Sequence, residues 1–234
     1  ETNIVGTENV VNACLAKKVQ KLCYLSSVAA IGRTESRLEI TEETQWQDSP
    51  ENSNYAISKH YAELEVWRGG EEGLPIVMVN PTVILGYTSQ GNSSSSIFHT
   101  IKNGFPFTSK GTNGFVGAKD VAESILLLIK KDILNERFIL NSQNLQFDIL
   151  FGSIATSLNK KPPTIIVKKW MRWIALPLAW IQTKVTRKPP FITKEVFGTS
   201  MSHNLYSSKK ISEAIGFQFT PVAKVVDEVG QSMS

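Results

Sequence analysis

The stretch GLPIVMVNPTVILG, Gly73 to Gly86, constrains the fold more than any other, because Leu74 to Val79 contains no polar side chain. A strand with one wet face alternates apolar and polar residues, whereas a strand covered on both faces reads as an unbroken apolar run. KLCYLSS, from Lys21 to Ser27, and RFIL, from Arg137 to Leu140, read as further strands. Between the strands lie helical segments. From Asn3 to Val19, Ile4, Val5, Val11, Cys14, Leu15 and Ala16 recur at helical spacing, and Tyr55 to Arg68 is rich in good helix formers. Asp120 to Lys131 reads as a helix with Asp120 as N-cap and lysines at its end. Buried strands alternating with helices predict an α/β fold with a parallel sheet covered on both faces.

The remaining chain divides at polar and proline-bearing stretches. Thr34 to Asn54 and Gly91 to Ser96 read as loops, and Asp148 to Leu158 as an amphipathic helix. The proline pairs in KKPPTIIV and RKPPFIT bracket a helix over Trp170 to Val185, whose tryptophans are expected to pack into the core of their own lobe. SSKKISEAIGFQFTP contains a short helix ended by Gly216. With 41% apolar and 20% charged residues the chain is neither fibrous nor disordered, and its 234 residues suffice for one core and a small second lobe.

The net charge of +4 owes much to basic residues between 160 and 190, read here as a solvated surface and not as a nucleic-acid site. The longest apolar stretch, WIALPLAWI, is far short of the ~20 residues that span a bilayer, so no membrane partner is expected. Cys14 and Cys23 lie in apolar segments without metal-ligand spacing, which suits buried thiols in a reducing, cytoplasmic compartment. His60, His99 and His203 are scattered, and no metal is assigned.

The chemistry-bearing pattern is NYAISKHYAELEVW, Asn54 to Trp67. Residues four apart on a helix share a face, so Tyr55 and Lys59 can act on one small volume. A neighbouring ammonium favours the phenolate, which makes the pair a plausible proton-transfer device. Ser27, delivered from a strand end, could hydrogen-bond a substrate oxygen beside them. Tyr-x-x-x-Lys alone more often marks an exposed helix face, so its context decides.

NIVGTENVVNACLAKKVQKLCYLSSVAAIG, NYAISKHYAELEVW and GLPIVMVNPTVILG, in this order and spacing, look like the extended short-chain dehydrogenase/reductases, the NAD-dependent epimerase/dehydratase superfamily. The resemblance implies a Rossmann-type doubly wound parallel sheet and a small C-terminal substrate-binding lobe. Residues 1–145 would form the C-terminal part of the NAD(P)-binding domain, with about 86–117 contributing to the lobe, and residues 146–234 mainly the lobe. It also implies roles. Tyr55 would be the acid/base, Lys59 would hold the nicotinamide ribose and lower the Tyr55 pKa, and Ser27 would orient the substrate oxygen, with Ser26 turned to the backbone. Pro81, Thr82 and Val83 would touch the nicotinamide end of NAD or NADP, and Asn3 would lie near the cofactor.

A dinucleotide-binding sheet of this kind places a glycine-rich turn after its first strand, and no G-x-G-x-x-G occurs here. By the resemblance, roughly 90 residues carrying that turn precede Glu1 in the whole protein, which makes this chain an N-terminally truncated fragment. Within the superfamily, sugar dehydratases carry Thr-Asp-Glu where this chain has Ser27, Val28 and Ala29. Epimerases place an asparagine where this chain has Val83. NPTVILG instead looks like the dihydroflavonol-reductase and hydroxysteroid-dehydrogenase branch. The expected function is therefore an NAD(P)-dependent reductase or dehydrogenase for a small, fairly apolar substrate, with a homodimer possible. A nucleotide-sugar epimerase and a non-catalytic, partner-binding member are the alternatives.

Overall fold

A computed structural model describes residues 2–32, 39–49, 52–88, 95–173 and 194–233. In chain order the elements begin α1 (Thr2–Ala16), β1 (Leu22–Leu25), a 3-10 turn (Val28–Ala30), α2 (Asn54–Glu71), β2 (Ile76–Pro81) and β3 (Val83–Leu85). Next come α3 (Ser95–Lys102), β4 (Phe107–Thr108), β5 (Thr112–Gly117), α4 (Ala118–Lys130), β6 (Glu136–Leu140) and β7 (Gln143–Gln146). The chain closes with α5 (Phe147–Ser157), β8 (Ile165–Ile166), a second 3-10 turn (Lys169–Met171), α6 (Lys194–Met201), α7 (Lys209–Ile215) and α8 (Val222–Ser232).

The chain forms two compact units. The first, residues 1–84, 114–143 and 205–222, is built on a parallel sheet in the order β1-β2-β6. Leu22 pairs with Ile76 at one end and Pro81 with Leu140 at the other. The apolar run of β2 is explained by what covers it. Val77 and Val79 cluster with Val121 and Leu128 of α4 and Ile211 of α7 on one face, while Ile76 and Met78 cluster with Val11 of α1 and Val66 of α2 on the other. All four side chains of β2 are fully buried, each contributing about 1.5–3 kcal/mol relative to exposure. This is the α/β arrangement, parallel and covered on both faces, that the apolar runs predict.

Three local readings need correction. The segment ending VNPTVILG is two strands, not one. Pro81 has no N–H to extend the ladder, and Thr82 turns both its N–H and its hydroxyl to the Leu140 carbonyl, at 3.0 and 3.1 Å. Asp120 is not an N-cap: α4 starts two residues earlier, after Gly117, and the Asp120 carboxylate accepts from the Thr220 N–H at 2.9 Å and the Thr220 hydroxyl at 2.8 Å. The cysteines, both free, are half-buried rather than buried, Cys23 beside the α4 cluster and Cys14 beside the α1 and α2 cluster. Gly216 does end α7, at φ 68° in the left-handed region where glycine is favoured.

The second unit comprises residues 85–113, 144–204 and 223–234. Phe98, Ile101, Leu150 and Ile154 are buried within it, α3 packs on α5, and Phe107 of β4 pairs in parallel with Ile165 of β8. Of the polar segment Gly91 to Ser96, Ser95 already opens α3, and residues 91–94 lie outside the described residues. The helix expected over Trp170 to Val185 is described only as far as Trp173: Lys169–Met171 form the 3-10 turn, and Arg172 and Trp173 are helical. Residues 174–193, with RKPPFIT, lie outside the described residues. Trp170 and Trp173 are 58% and 73% exposed, so these two tryptophans do not fill a core. Among the described residues, no helix is long and apolar enough to cross a membrane.

Candidate active site

Since β1 and β2 are parallel neighbours, the helix between them must run back along the sheet, which sets its N-terminus at the carboxyl edge of the strands. Ser53 starts that helix by accepting the Ala56 N–H at 3.0 Å. Tyr55 sits in its first turn, 52% exposed. One turn on, Lys59 reaches the sheet edge. Its ammonium donates to the Leu25 carbonyl at 3.1 Å and lies 5.0 Å from the centre of the Tyr24 ring.

Tyr24 shares a hydrogen bond of 3.3 Å with the Thr7 hydroxyl. Burial pushes its phenol above the ordinary value, the Thr7 hydrogen bond opposes this, and the Glu63 carboxylate reinforces it. Asn3 on α1 donates to Ser58 at 2.9 Å, tying α1 to α2. Thr2, Asn3, Gly6, Thr7, Tyr24 and Lys59 line part of a cleft of about 290 Å³ in this unit.

Ser27, two residues past β1, caps the 3-10 turn by accepting the Ala29 N–H at 3.2 Å, which leaves its own O–H to donate. His60 fastens α2 to the same turn through Nδ1 and the Ala30 carbonyl at 3.2 Å, its ring stacked on Trp46 at 4.3 Å. The Ser26 Oγ is buried and, among the described residues, has no hydrogen-bond partner.

Of the residues expected near a nicotinamide, Pro81 closes β2 and is buried, and Val83 is half-buried at the start of β3. The Thr82 hydroxyl is engaged inside the protein, with the Leu140 carbonyl and with Asn141 at 3.3 Å.

Beneath these groups lies a polar network that the sequence reading did not single out. Glu63, on the α2 face of Tyr55 and Lys59, is 1% exposed. It accepts from Asn80 and lies 3.6 Å from the Arg137 guanidinium. Asn80 is fully buried, and its Nδ2 also donates to the Ser27 carbonyl at 3.0 Å. Arg137 donates through Nε to the Glu42 carbonyl at 3.0 Å, and the buried Glu42 carboxylate accepts the Ile139 N–H at 2.8 Å. Two signals were available. Glu63 stands four residues beyond Lys59, and Asn80 is the one polar residue in an apolar strand that must find partners when buried.

The sequence also contains G-x-x-G-x-x-G at Gly111, Gly114 and Gly117, a second glycine spacing that a phosphate-binding turn could use. Gly111 precedes β5, Gly114 lies within it and Gly117 ends it. A phosphate cradle gathers its glycines in a turn between a strand and a helix. These three are spread along a strand instead, and Gly114 allows a close approach of Thr82 and Asn141 side chains.

Residues 1–140 match the sequence model of the "NAD dependent epimerase/dehydratase family". The chain is 26% identical over its whole length to cinnamoyl-CoA reductase 2 of Medicago truncatula, of which it spans 64%. It is 29% identical over 92 residues to dihydroflavonol 4-reductase of Medicago sativa, a match covering 36% of this chain and 42% of that one. Among solved structures, gox2253 superposes with a TM-score of 0.79 at 26% identity, covering 99% of this chain and 72% of that one.

Proposed function

Because the chain belongs to the NAD dependent epimerase/dehydratase family, we propose that it acts in NAD(P)-dependent reduction of a carbonyl, or oxidation of an alcohol, on a small and fairly apolar molecule. The observation that carries this reading is the Lys59 ammonium, held on the Leu25 carbonyl at the carboxyl edge of the sheet. Tyr55 lies one turn before it, and the Ser27 hydroxyl two residues beyond its anchor. Similarity to a cinnamoyl-CoA reductase and a dihydroflavonol 4-reductase supports a reductase over an epimerase. So does Val83, which offers no hydrogen bond to a sugar nucleotide.

The donor set fits the nicotinamide end of the cofactor. Lys59 and Asn3 line the cleft and bring an ammonium and an amide suited to ribose oxygens. When bound, the nicotinamide supplies or takes the hydride exchanged with the substrate carbon. The Tyr55 hydroxyl gives a proton to the substrate oxygen during reduction and takes it back during oxidation. Ser27 donates its O–H to that oxygen, steadying negative charge as it develops. The Lys59 cation lies one helical turn from Tyr55, on the same helix face.

The test is nicotinamide oxidation by the native gene product with cinnamoyl-CoA, a dihydroflavonol and simple aryl aldehydes, using NADH and NADPH in turn. Tyr55→Phe should lower kcat by about 10²–10⁴-fold, the range for loss of a positioned acid/base. A Tyr55→Phe enzyme with unchanged kcat would overturn the assignment.

A further inference from the structure

We infer that the surface from Lys160 to Trp173 is a docking site for an anionic phospholipid bilayer, which the chain would meet at the interface without spanning it. The inference stands apart from the catalytic reading and rests on exposure and charge within the second unit.

Ile165 and Ile166, in β8, are 45% and 44% exposed, and Trp170 and Trp173 are more so. Four large apolar side chains in nine consecutive residues thus face water, although a chain of this kind ordinarily gathers such groups into a core. The cations interleave with them. Lys168, Lys169 and Arg172 are all exposed, as are Lys160 and Lys161 just before β8. The Arg172 guanidinium lies 5.0 Å from the centre of the Trp173 ring, keeping one cation beside one indole. No Asp or Glu occurs anywhere in the sequence from Ile149 to Lys194.

Each part suits a headgroup region. Tryptophan prefers the membrane–water interface, where its ring is apolar and its N–H is wet. Exposed isoleucines gain by entering the acyl boundary, and lysine and arginine are drawn to anionic lipid phosphates. Such binding needs no run of ~20 apolar residues, which is why the shortness of WIALPLAWI does not bear on it. A single-stranded nucleic acid would use the same cations and would stack bases on the tryptophans. It would have no use for a pair of exposed isoleucines, and this favours lipid.

The experiment is co-sedimentation of the full chain with phosphatidylglycerol/phosphatidylcholine vesicles, with phosphatidylcholine vesicles alone, and with the mixed vesicles plus a single-stranded RNA oligonucleotide. We expect binding to the mixed vesicles, weakened by salt, and little to phosphatidylcholine. A lysine near such a surface contributes about fivefold to partitioning, so Lys168→Gln with Lys169→Gln should weaken binding roughly thirtyfold. Trp170→Ala with Trp173→Ala should also weaken it, with the melting temperature unchanged because both rings are exposed. Failure to sediment with anionic vesicles, binding by both double variants as tight as that of wild type, or displacement of the vesicles by RNA would each overturn the proposal. The comparison between the two vesicle types needs no variant, so it decides the matter even if one fails to fold.

Discussion

Asn80→Ala should be among the most damaging single changes at the carboxyl edge of the sheet, although it removes only an amide. Asn80 is fully buried, and its Nδ2 donates to two acceptors, the Ser27 carbonyl at 3.0 Å and the Glu63 carboxylate. A hydrogen bond between neutral groups contributes about 0.5–1.5 kcal/mol and one to a charged group about 1.5–3 kcal/mol, so losing both costs about 2–4 kcal/mol. For a chain of this length that corresponds to a fall in Tm of roughly 5–15 °C. The loss should be coupled to Glu63, because the alanine variant keeps a buried carboxylate with Arg137 at 3.6 Å but no amide against it. Urea unfolding of wild type, Asn80→Ala, Glu63→Gln and the double variant, at unchanged m, would give a coupling energy of about 0.5–3 kcal/mol. Replacing both residues together by Asn80→Leu and Glu63→Met should recover part of the loss, since the buried carboxylate goes with the amide, while Arg137, which loses its ion-pair partner, limits the recovery. If Asn80→Ala costs less than about 0.5 kcal/mol and its effect simply adds to that of Glu63→Gln, the network is not holding the site together.

Tyr24 should make stability fall in alkali. Its folded pKa is raised, chiefly by burial, so its contribution is fully present below the unfolded phenol value of about 10 and is lost as pH rises through the higher folded one. Tyr24→Phe should therefore lose stability less steeply above pH ~10 than wild type, and identical slopes in urea melts would contradict the assignment. Gly114→Ala should destabilise by about 1–3 kcal/mol through overpacking, because a Cβ there would meet Asn141 Oδ1 and Thr82 Cγ2 at 2.5 Å. A Tm equal to that of wild type would show that these neighbours can give way.

The architecture was legible where one physical demand dominates a segment. Leu74 to Val79 is apolar because both faces of β2 are covered, and Gly216 ends α7 because the backbone turns left-handed there. Helix periodicity put Tyr55 and Lys59 on one face, but only the family resemblance gave these two and Ser27 their expected roles. What escaped depended on distant partners. Asp120 looks like a helix cap until Thr220 is seen to claim its carboxylate. Glu63 looks like a helix former until the sheet brings Asn80 and Arg137 to it. Trp170 and Trp173 have the composition of core residues, and only the fold of the second unit reveals that both face water. Glycine spacing misled in the opposite sense, since Gly111 and Gly114 allow close approach of neighbouring groups and Gly117 stands where a strand gives way to α4, so the three do not form one turn around a phosphate.

The anchoring of Lys59 on a backbone carbonyl bears on how such a site can evolve. Leu25 offers its main-chain oxygen to the ammonium while its side chain is 46% exposed. Every amino acid has that oxygen, so mutation at position 25 can change what is presented at the mouth of the site without changing where the lysine is held. The side chain at that position is free to drift while the lysine stays in register, so sequence change there and retention of the anchor are separable.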